Sequence, residues 1–383
     1  MENYFNTGNK KLCNGCGICV LKCPKGAITM IEDAEGFMYP QIDEKKCIKC
    51  GICEKICSNS PTKNEYKITA YATKNKNSQE RRTSTSGGMF KLIANNIIDK
   101  NGVVFGVKYD ENLKVVHDYA ESILDCKRFS ISKYVRSDLR DSYNKVKEFL
   151  EKDRYVLFSG TPCQCYALRK FLQQDYKKLV ICEIVCHSNP SPKVFEMYRK
   201  NREQQNGKKI KMMHFRSKNK EMQNGPYLEF TDGKIKSDRT FNKAFNDMLI
   251  SRPSCSQCQF CDINRKADIT IGDFWGIENI FPEFIDNDGI SLLTINTERG
   301  NEIFQEVKEF MEYKEADLLR TFESNHNSNQ LEHKNREELF KEIENGRISE
   351  NNIAEMLERY TQISIIRRAV RKLKRMLKKI IKR

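Results

Sequence analysis

At 383 residues, with 67 Lys and Arg against 52 Asp and Glu, the chain carries a formal charge of +15, and its length allows two or three cores at about 150 residues each. Its 16 cysteines are too sparse for a small disulfide scaffold, where cysteine exceeds about 8–10%. No apolar stretch approaches the roughly 18 residues that cross a bilayer, and the opening "MENYFNTGNKK" has neither an apolar core nor a small-residue cleavage site, so a reducing cytoplasmic setting is expected, where clustered thiols serve as metal ligands or redox groups.

Eight of the cysteines fall in two runs, "CNGCGICVLKCP" and "CIKCGICEKICS", related residue for residue by an offset of 34. This is an internal duplication. A zinc site takes four tetrahedral ligands, usually as two separated pairs. A C-x2-C-x2-C run instead sets three thiolates around one face of a cuboidal cluster, and in the two-cluster bacterial pattern each fourth cysteine crosses to the other cluster. The spacing therefore assigns Cys13, Cys16, Cys19 and Cys57 to one 4Fe-4S cluster and Cys47, Cys50, Cys53 and Cys23 to a second. Gly15, Gly17 and Gly51 suit a backbone that wraps closely around sulfide. "AITMIEDAEGFMYPQID" between the runs reads as strand, turn, strand. Residues 10 to about 60 thus resemble two-cluster bacterial ferredoxins, with Ser58 standing where a proline often follows the last cysteine.

After Pro61 strand and helix signals alternate. "GGMFKLIANNIIDKNG" has helical spacing with Gly102 as a stop, and "VVFGVKY" reads as a strand. "SDLRDSYNKVKEFLEKD" reads as an amphipathic helix capped by Ser137 or Asp138, with Leu139, Tyr143, Val146, Phe149 and Leu150 on one face. It leads to the strand "YVLF", the turn "SGTP", a helix from Pro162 and the strand "LVICEIV", a parallel pair with a crossover helix.

Ligands in such sheets lie beyond the carboxyl ends of the strands, and three unusual stretches fall there. In "SGTPCQC", Ser159, Gly160 and Thr161 allow a sharp turn into a helix whose free N–H groups would face an anion, or an ordinary strand-to-helix turn. "CHSNPSP" places Cys186 and His187 after a strand, with His187 either a packed side chain or a ligand or proton donor. "RPSCSQCQFC" spaces Cys255, Cys258 and Cys261 by three, so a fourth thiolate must come from elsewhere, with Cys163 and Cys186 the best placed. "TSTSGG" before a helix offers hydroxyls and free amides to a pyrophosphate.

"TSGGMF", "SKYVRS", "SGTPCQ", "CHSNPSPKVF", "FRSK", "RPSCSQCQF" and "DITIGDFWG" occur in an order and spacing that resembles the beta subunit of coenzyme F420-reducing hydrogenase and related dehydrogenase subunits, over about residues 68–345. The resemblance implies FAD beside a third 4Fe-4S cluster on Cys163, Cys186, Cys255 and Cys258, with the additional Cys261 leaving the fourth ligand open. It further implies contacts to the flavin from Ser86, Gly87, Gly88 and Lys133, with Ser159, Gly160, Thr161, Gln164, Asp273 and Trp275 as further candidates; Phe274 and Trp275 equally suit a core. Ser188, where the family usually has glycine, would reshape the site facing the flavin. Cys126, Cys165 and Cys182 match no motif and read as packing.

The expected fold is mixed α/β and α+β. A two-cluster ferredoxin-like domain at 1–62 precedes an α/β flavin and iron–sulfur body in two parts, 63–150 and 151–345, and a helical tail at 346–383. The expected activity is an oxidoreductase exchanging hydride between FAD and a soluble coenzyme, of coenzyme F420 type, or a small-molecule substrate, with single electrons passing through the clusters to a redox protein partner. Alternatives are a redox step linked to polysaccharide building that uses another coenzyme, an electron-transfer module without flavin, and a zinc-stabilised interaction protein. Residues 360–383 hold ten Lys or Arg and no acid, leaving the rest mildly basic and giving no reason to expect nucleic acid. Ile366, Val370, Leu373, Leu377 and Ile380 would form one stripe of a helix, suited to an anionic membrane surface or to packing on its own domain.

Overall fold

The structure, a computed structural model, describes residues 2–57, 65–218, 222, 225–323, 325 and 329–361. Among the described residues the strands are β1 (Ile28–Glu32), β2 (Met38–Ile42), β3 (Thr69–Asn75), β4 (Val103–Tyr109), β5 (Val115–Ala120), β6 (Val156–Gly160), β7 (Leu179–Ile184), β8 (Ile210–His214), β9 (Tyr227–Phe230), β10 (Ile235–Ser237), β11 (Ile269–Asp273), β12 (Ser291–Ile295) and β13 (Met311–Ala316).

Eight of them form one sheet in the order β13-β3-β12-β11-β7-β6-β4-β5. Its centre, β11, β7, β6 and β4, is parallel, and the flanking strands are antiparallel. Parallel strands are covered on both faces and so carry unbroken apolar runs, as in β6, where all five residues are buried. One face packs on the helices Met89–Asp99 and Glu298–Val307. The other packs on Ser142–Glu151 and Pro162–Leu172. The parts expected at 63–150 and 151–345 share this sheet: β3 lies between β12 and β13, and β4 lies against β6.

The expected helix over 137–153 begins later, at Ser142. Neither expected cap caps it. Asp138 is drawn into a strand-like bridge with β5, through His117 N–H to the Asp138 carbonyl (2.8 Å) and Asp138 N–H to the Val115 carbonyl (2.9 Å). Ser137 accepts a 3.0 Å bond from the Gln164 amide. Backbone pairing here outweighs the local capping preference.

A second core, not foreseen in the sequence, joins the small sheet β10-β9-β8 to the helices Pro192–Asn206, Thr240–Asn246, Arg336–Glu344 and Ile353–Thr361. Ile353, Ala354 and Leu357 are buried in it, so the chain stays packed through Thr361 instead of leaving the body at 346. The basic stripe from Ile366 to Ile380 lies outside the described residues. Among the described residues, no helix is long and apolar enough to cross a membrane.

The hairpin β1–β2 joins the cysteine runs to this second core, with Phe37 and Tyr39 buried in it. At its turn Glu35 pairs with the buried Arg336 (Nη1 to Oε1 3.1 Å), and its carbonyl accepts from Ser191 Oγ at 2.5 Å. Ile18 and Ile56, one from each cysteine run, extend the core under helix Pro162–Leu172. The N-terminal region is therefore docked on the body through apolar side chains and a buried ion pair.

Candidate redox centres and the cavity between the strand ends

The two cysteine runs fold with the same backbone. Gly15, Gly17 and Gly51 have φ of +66°, +75° and +70°, and Lys49, the counterpart of Gly15, has +53°. Left-handed residues let consecutive N–H groups face the loop interior; Lys49 N–H reaches Cys47 Sγ at 3.4 Å and Ala27 N–H reaches Cys23 Sγ at 3.3 Å. Burial, then the neighbouring thiols of Cys16, Cys13 and Cys57, push the Cys19 thiol up. Cys57, the fourth cysteine of the second run, thus lies near the first three of the first run. Thiols crowded in this way ionise together only around a cationic centre. Among the described residues no three Cys, His, Asp or Glu side chains close on one point as they would around a single ion; a cuboidal cluster takes its thiolates at separate irons.

A further group of cysteines lies beyond the ends of β6 and β7. Cys163, Cys186, Cys255, Cys258 and Cys261 line one cavity of about 30 Å³ together with His187 and Asn189. Cys163 stands in the first turn of helix Pro162–Leu172, and Cys186 follows β7. Burial, followed by Cys255 and Cys163, pushes the Cys186 thiol up. Asn189 N–H donates to Cys255 Sγ at 3.3 Å, and Phe260 N–H to Cys258 Sγ at 3.4 Å. Cys261 donates to the Asn329 side chain at 2.8 Å, and its separate hydrogen-bonding contact with the Cys258 side chain, ahead of burial, pushes the Cys258 thiol up. This donor set fits a thiolate-bound cluster, with Cys258 and Cys261 both placed to supply the fourth ligand.

His187 lies at this cavity and not in the larger one. Its Nε2 lies 3.2 Å from the Asn246 carbonyl, its ring meets Phe245 edge-on at 4.9 Å, and burial lowers its pKa. That is the packed alternative for this side chain. Cys126, Cys165 and Cys182 are buried in the body, as expected of packing residues.

A larger cavity of about 270 Å³ opens at the carboxyl ends of the parallel strands. Of the ten residues expected at a flavin, Ser86, Gly88, Lys133, Ser159, Gly160, Thr161, Gln164 and Asp273 line it. Gly87 backs the wall, its N–H donating to Ser291 Oγ at 2.9 Å, and a Cβ there would stand 2.5 Å from the Thr73 carbonyl oxygen. Trp275 is outside, half-exposed, with its ring 5.5 Å from the Arg216 guanidinium, which also pairs with Asp273.

Two helix starts face the larger cavity. Gly88 leads into Met89–Asp99 at φ +87° with no side-chain cap, which leaves first-turn N–H groups available to an anion. At the other start, Thr161 N–H is held by Gln164 Oε1 at 3.1 Å. Lys133, which donates to the Ser130 and Ile131 carbonyls, has its ammonium pushed down to about 7 by burial. Asn189 lines both cavities, and the turn that ends in Cys163 runs between them.

Residues 153–318 match the family model for the C terminus of the coenzyme F420 hydrogenase/dehydrogenase beta subunit, and residues 12–60 match a 4Fe-4S dicluster domain. Residues 153–318 are thus similar to the C-terminal region of that family. The chain is 27% identical over 330 residues to the coenzyme F420-dependent sulfite reductase of Methanocaldococcus jannaschii, covering 81% of this chain and 48% of that protein. It is 24% identical over 327 residues to one of the subunits of the F420H2 dehydrogenase of Methanosarcina mazei, covering 79% and 84%. The chain therefore spans about half the length of the first relative and most of the second. A chain in the structure of the F420-reducing hydrogenase complex from Methanosarcina barkeri aligns at a TM-score of 0.47 and 19% identity, over 67% of this chain and 87% of that one.

Residues that the sequence left out of the site are Thr85, Ile131, Ser132 and Asn189, all in the larger cavity wall. Ser132 N–H bonds Thr85 Oγ1 at 3.0 Å, tying "TSTSGG" to "SKY". Thr85 and Ser132 each stand inside or beside a motif that resembles the family, and that adjacency was the available signal.

Proposed function

We propose that the chain is an iron–sulfur flavoprotein oxidoreductase. It would hold FAD in the larger cavity, a third 4Fe-4S cluster at the body cysteines and two clusters in the ferredoxin region. The observation that carries this is the shared wall: the cavity at the strand ends and the cysteine cavity both use Asn189 and the Thr161–Cys163 turn. A two-electron centre and a one-electron centre placed this close can exchange electrons without a mobile carrier.

Bound there, a flavin supplies the conversion between hydride and single-electron chemistry. The chain's own residues do the rest. Ser86, Gly88 and the open helix start would receive the pyrophosphate, the Lys133 ammonium adds a positive charge, and the apolar strand ends exclude water. The hydride partner is proposed to be a soluble coenzyme of F420 type, the kind named for both curated relatives. An external redox protein would meet the second cysteine loop, where Cys50 is exposed. Attachment to an anionic membrane surface through 363–383 would appear as flotation with anionic vesicles that is lost on tail deletion.

Iron, sulfide and flavin quantitation after anaerobic reconstitution tests the reading, followed by a screen of hydride donors for flavin bleaching. Three clusters and one flavin are expected. Iron without flavin would leave only an electron-transfer module, and zinc without sulfide would remove the redox reading altogether. The Lys133 ammonium, favoured by a bound pyrophosphate, predicts that FAD affinity is highest below about pH 7 and falls as pH rises through it. Fluorescence titration should find that dependence absent in Lys133→Met.

A further inference from the structure

Two arginines lie between the first ferredoxin loop and the cysteine cavity of the body. Arg252, 1% exposed, donates from Nε to the Cys13 carbonyl at 2.8 Å, and from Nη2 to the Met38 carbonyl at 3.0 Å and Cys13 Sγ at 3.6 Å. Its buried Nη1 has no hydrogen-bond partner. It lies 2.9 Å from where a Cβ on Gly15 would stand, so the guanidinium is pressed against the loop. The backbone of Arg252 belongs to the other site: its N–H bonds the Asn189 carbonyl and its own carbonyl accepts from Cys255 N–H, both at 2.9 Å. Arg136, half-buried, reaches both sites with one side chain. Its Nη2 donates to the Gly15 carbonyl at 2.8 Å, and its Nη1 lies 4.0 Å from Cys163 Sγ.

Neither arginine takes part in an ion pair among the described residues, whereas the other buried arginines there, Arg81, Arg265 and Arg336, each face a carboxylate. Arginine does not shed its proton in proteins, and a buried charge without a counter-charge costs several kcal/mol. Tyr39, whose ring lies 4.2 Å from the Arg252 guanidinium, offsets part of this. Among the described residues, the thiols in reach include Cys13, 3.6 Å from Arg252, and Cys163, 4.0 Å from Arg136.

We propose that Arg136 and Arg252 form a cationic bridge between the inner ferredoxin cluster and the body cluster, supplying the counter-charge for both and raising their reduction potentials. The inference rests on the cluster reading above. Reduction adds one negative charge to a cluster, and a guanidinium nearby in a low-dielectric setting stabilises that charge. Both arginines act through the clusters' surroundings and are positioning residues.

The test uses the full chain, reconstituted anaerobically, with iron and sulfide counted before EPR-monitored potentiometry. Arg252→Gln should keep its clusters and lower the potential of the inner ferredoxin cluster, by at least a tenfold loss in the equilibrium favouring reduction, about 59 mV for one electron. The cluster on Cys47, Cys50, Cys53 and Cys23 serves as an internal control and should not move. Arg252→Lys should restore most of the shift. Should Arg252→Gln fail to load, Arg136→Gln, at the less buried position, should lower both the inner and the body cluster. Loaded variants with unchanged potentials overturn the bridge and leave the cluster reading standing, as does a Lys variant that shifts as far as Gln. A wild-type chain that binds no iron overturns the cluster reading and the bridge with it.

Discussion

The two cysteine loops are copies in sequence and in backbone, yet their surroundings are opposite. The first, 13–23, is enclosed: Cys19 is buried, Ile18 is in the body core, and Arg136 and Arg252 bind its carbonyls. The second, 47–57, reaches the same core through Ile56 but otherwise faces outward, with Cys50 exposed and Ile48 57% exposed. Duplication set the ligand geometry, and docking then made the copies unequal. Under the proposed function, the enclosed loop would exchange electrons with the body, and the exposed loop with something outside it.

The sharpest test of that inequality is its docking energy. Glu35→Ala would leave the buried Arg336 without its best partner; breaking such a pair costs about 3–5 kcal/mol, and Glu332, 3.8 Å away, should hold the loss near the lower end. On the outward side, Lys46 pairs with Asp43 at 3.7 Å in the open, and Lys46→Ala should change stability by less than about 0.5 kcal/mol. Thermal melts of reconstituted protein would measure both, and equal losses would mean that the two sides are anchored alike.

A smaller contrast lies in the loops. Gly15→Ala and Gly51→Ala both place a side chain at a left-handed φ, at a cost of roughly 1–2 kcal/mol. Only at Gly15 does the new Cβ also meet Arg252, at 2.9 Å; at Gly51 nothing lies within 4 Å. Gly15→Ala should therefore lower the melting temperature further. Lys49 already holds this conformation on the open side, which shows that the backbone tolerates a side chain there when no body residue covers it.

These differences mark the reach of sequence reasoning. Spacing alone led to the crossed ligand sets as an expectation, because thiolates at intervals of three leave few geometries open, and the apolar runs of β6 and β7 announced a parallel pair. The start of the Ser142–Glu151 helix was not legible, since Asp138 obeys a strand far away in the chain. Trp275, read as a cofactor contact or equally a core residue, lies half-exposed beside Arg216, which is remote in sequence. The enclosure of the first loop was also invisible, for it depends on Arg136 and Arg252, more than a hundred residues away. Residues fixed by local spacing were readable, and residues fixed by a distant partner were not.

The mildest test concerns the order in which iron is lost. A chelator or oxygen must reach a cluster's sulfurs, and access falls with burial. If the loops differ as described, Cys50 and its cluster partners Cys47, Cys53 and Cys23 should become open to alkylation before Cys13, Cys16, Cys19 and Cys57. A rate ratio of tenfold corresponds to only about 1.4 kcal/mol of difference in opening, and this measurement assigns it to one loop or the other, which a melt of the whole chain does not. Mass spectrometry of the chain, quenched with an alkylating reagent during chelation, assigns each released thiol. The informative residue is Cys23, which lies in the first run by sequence but belongs to the outer cluster by the crossed assignment. Labelling of Cys23 with the Cys47 set supports both the crossing and the inequality, whereas labelling with Cys13 and Cys16 would break the crossing itself.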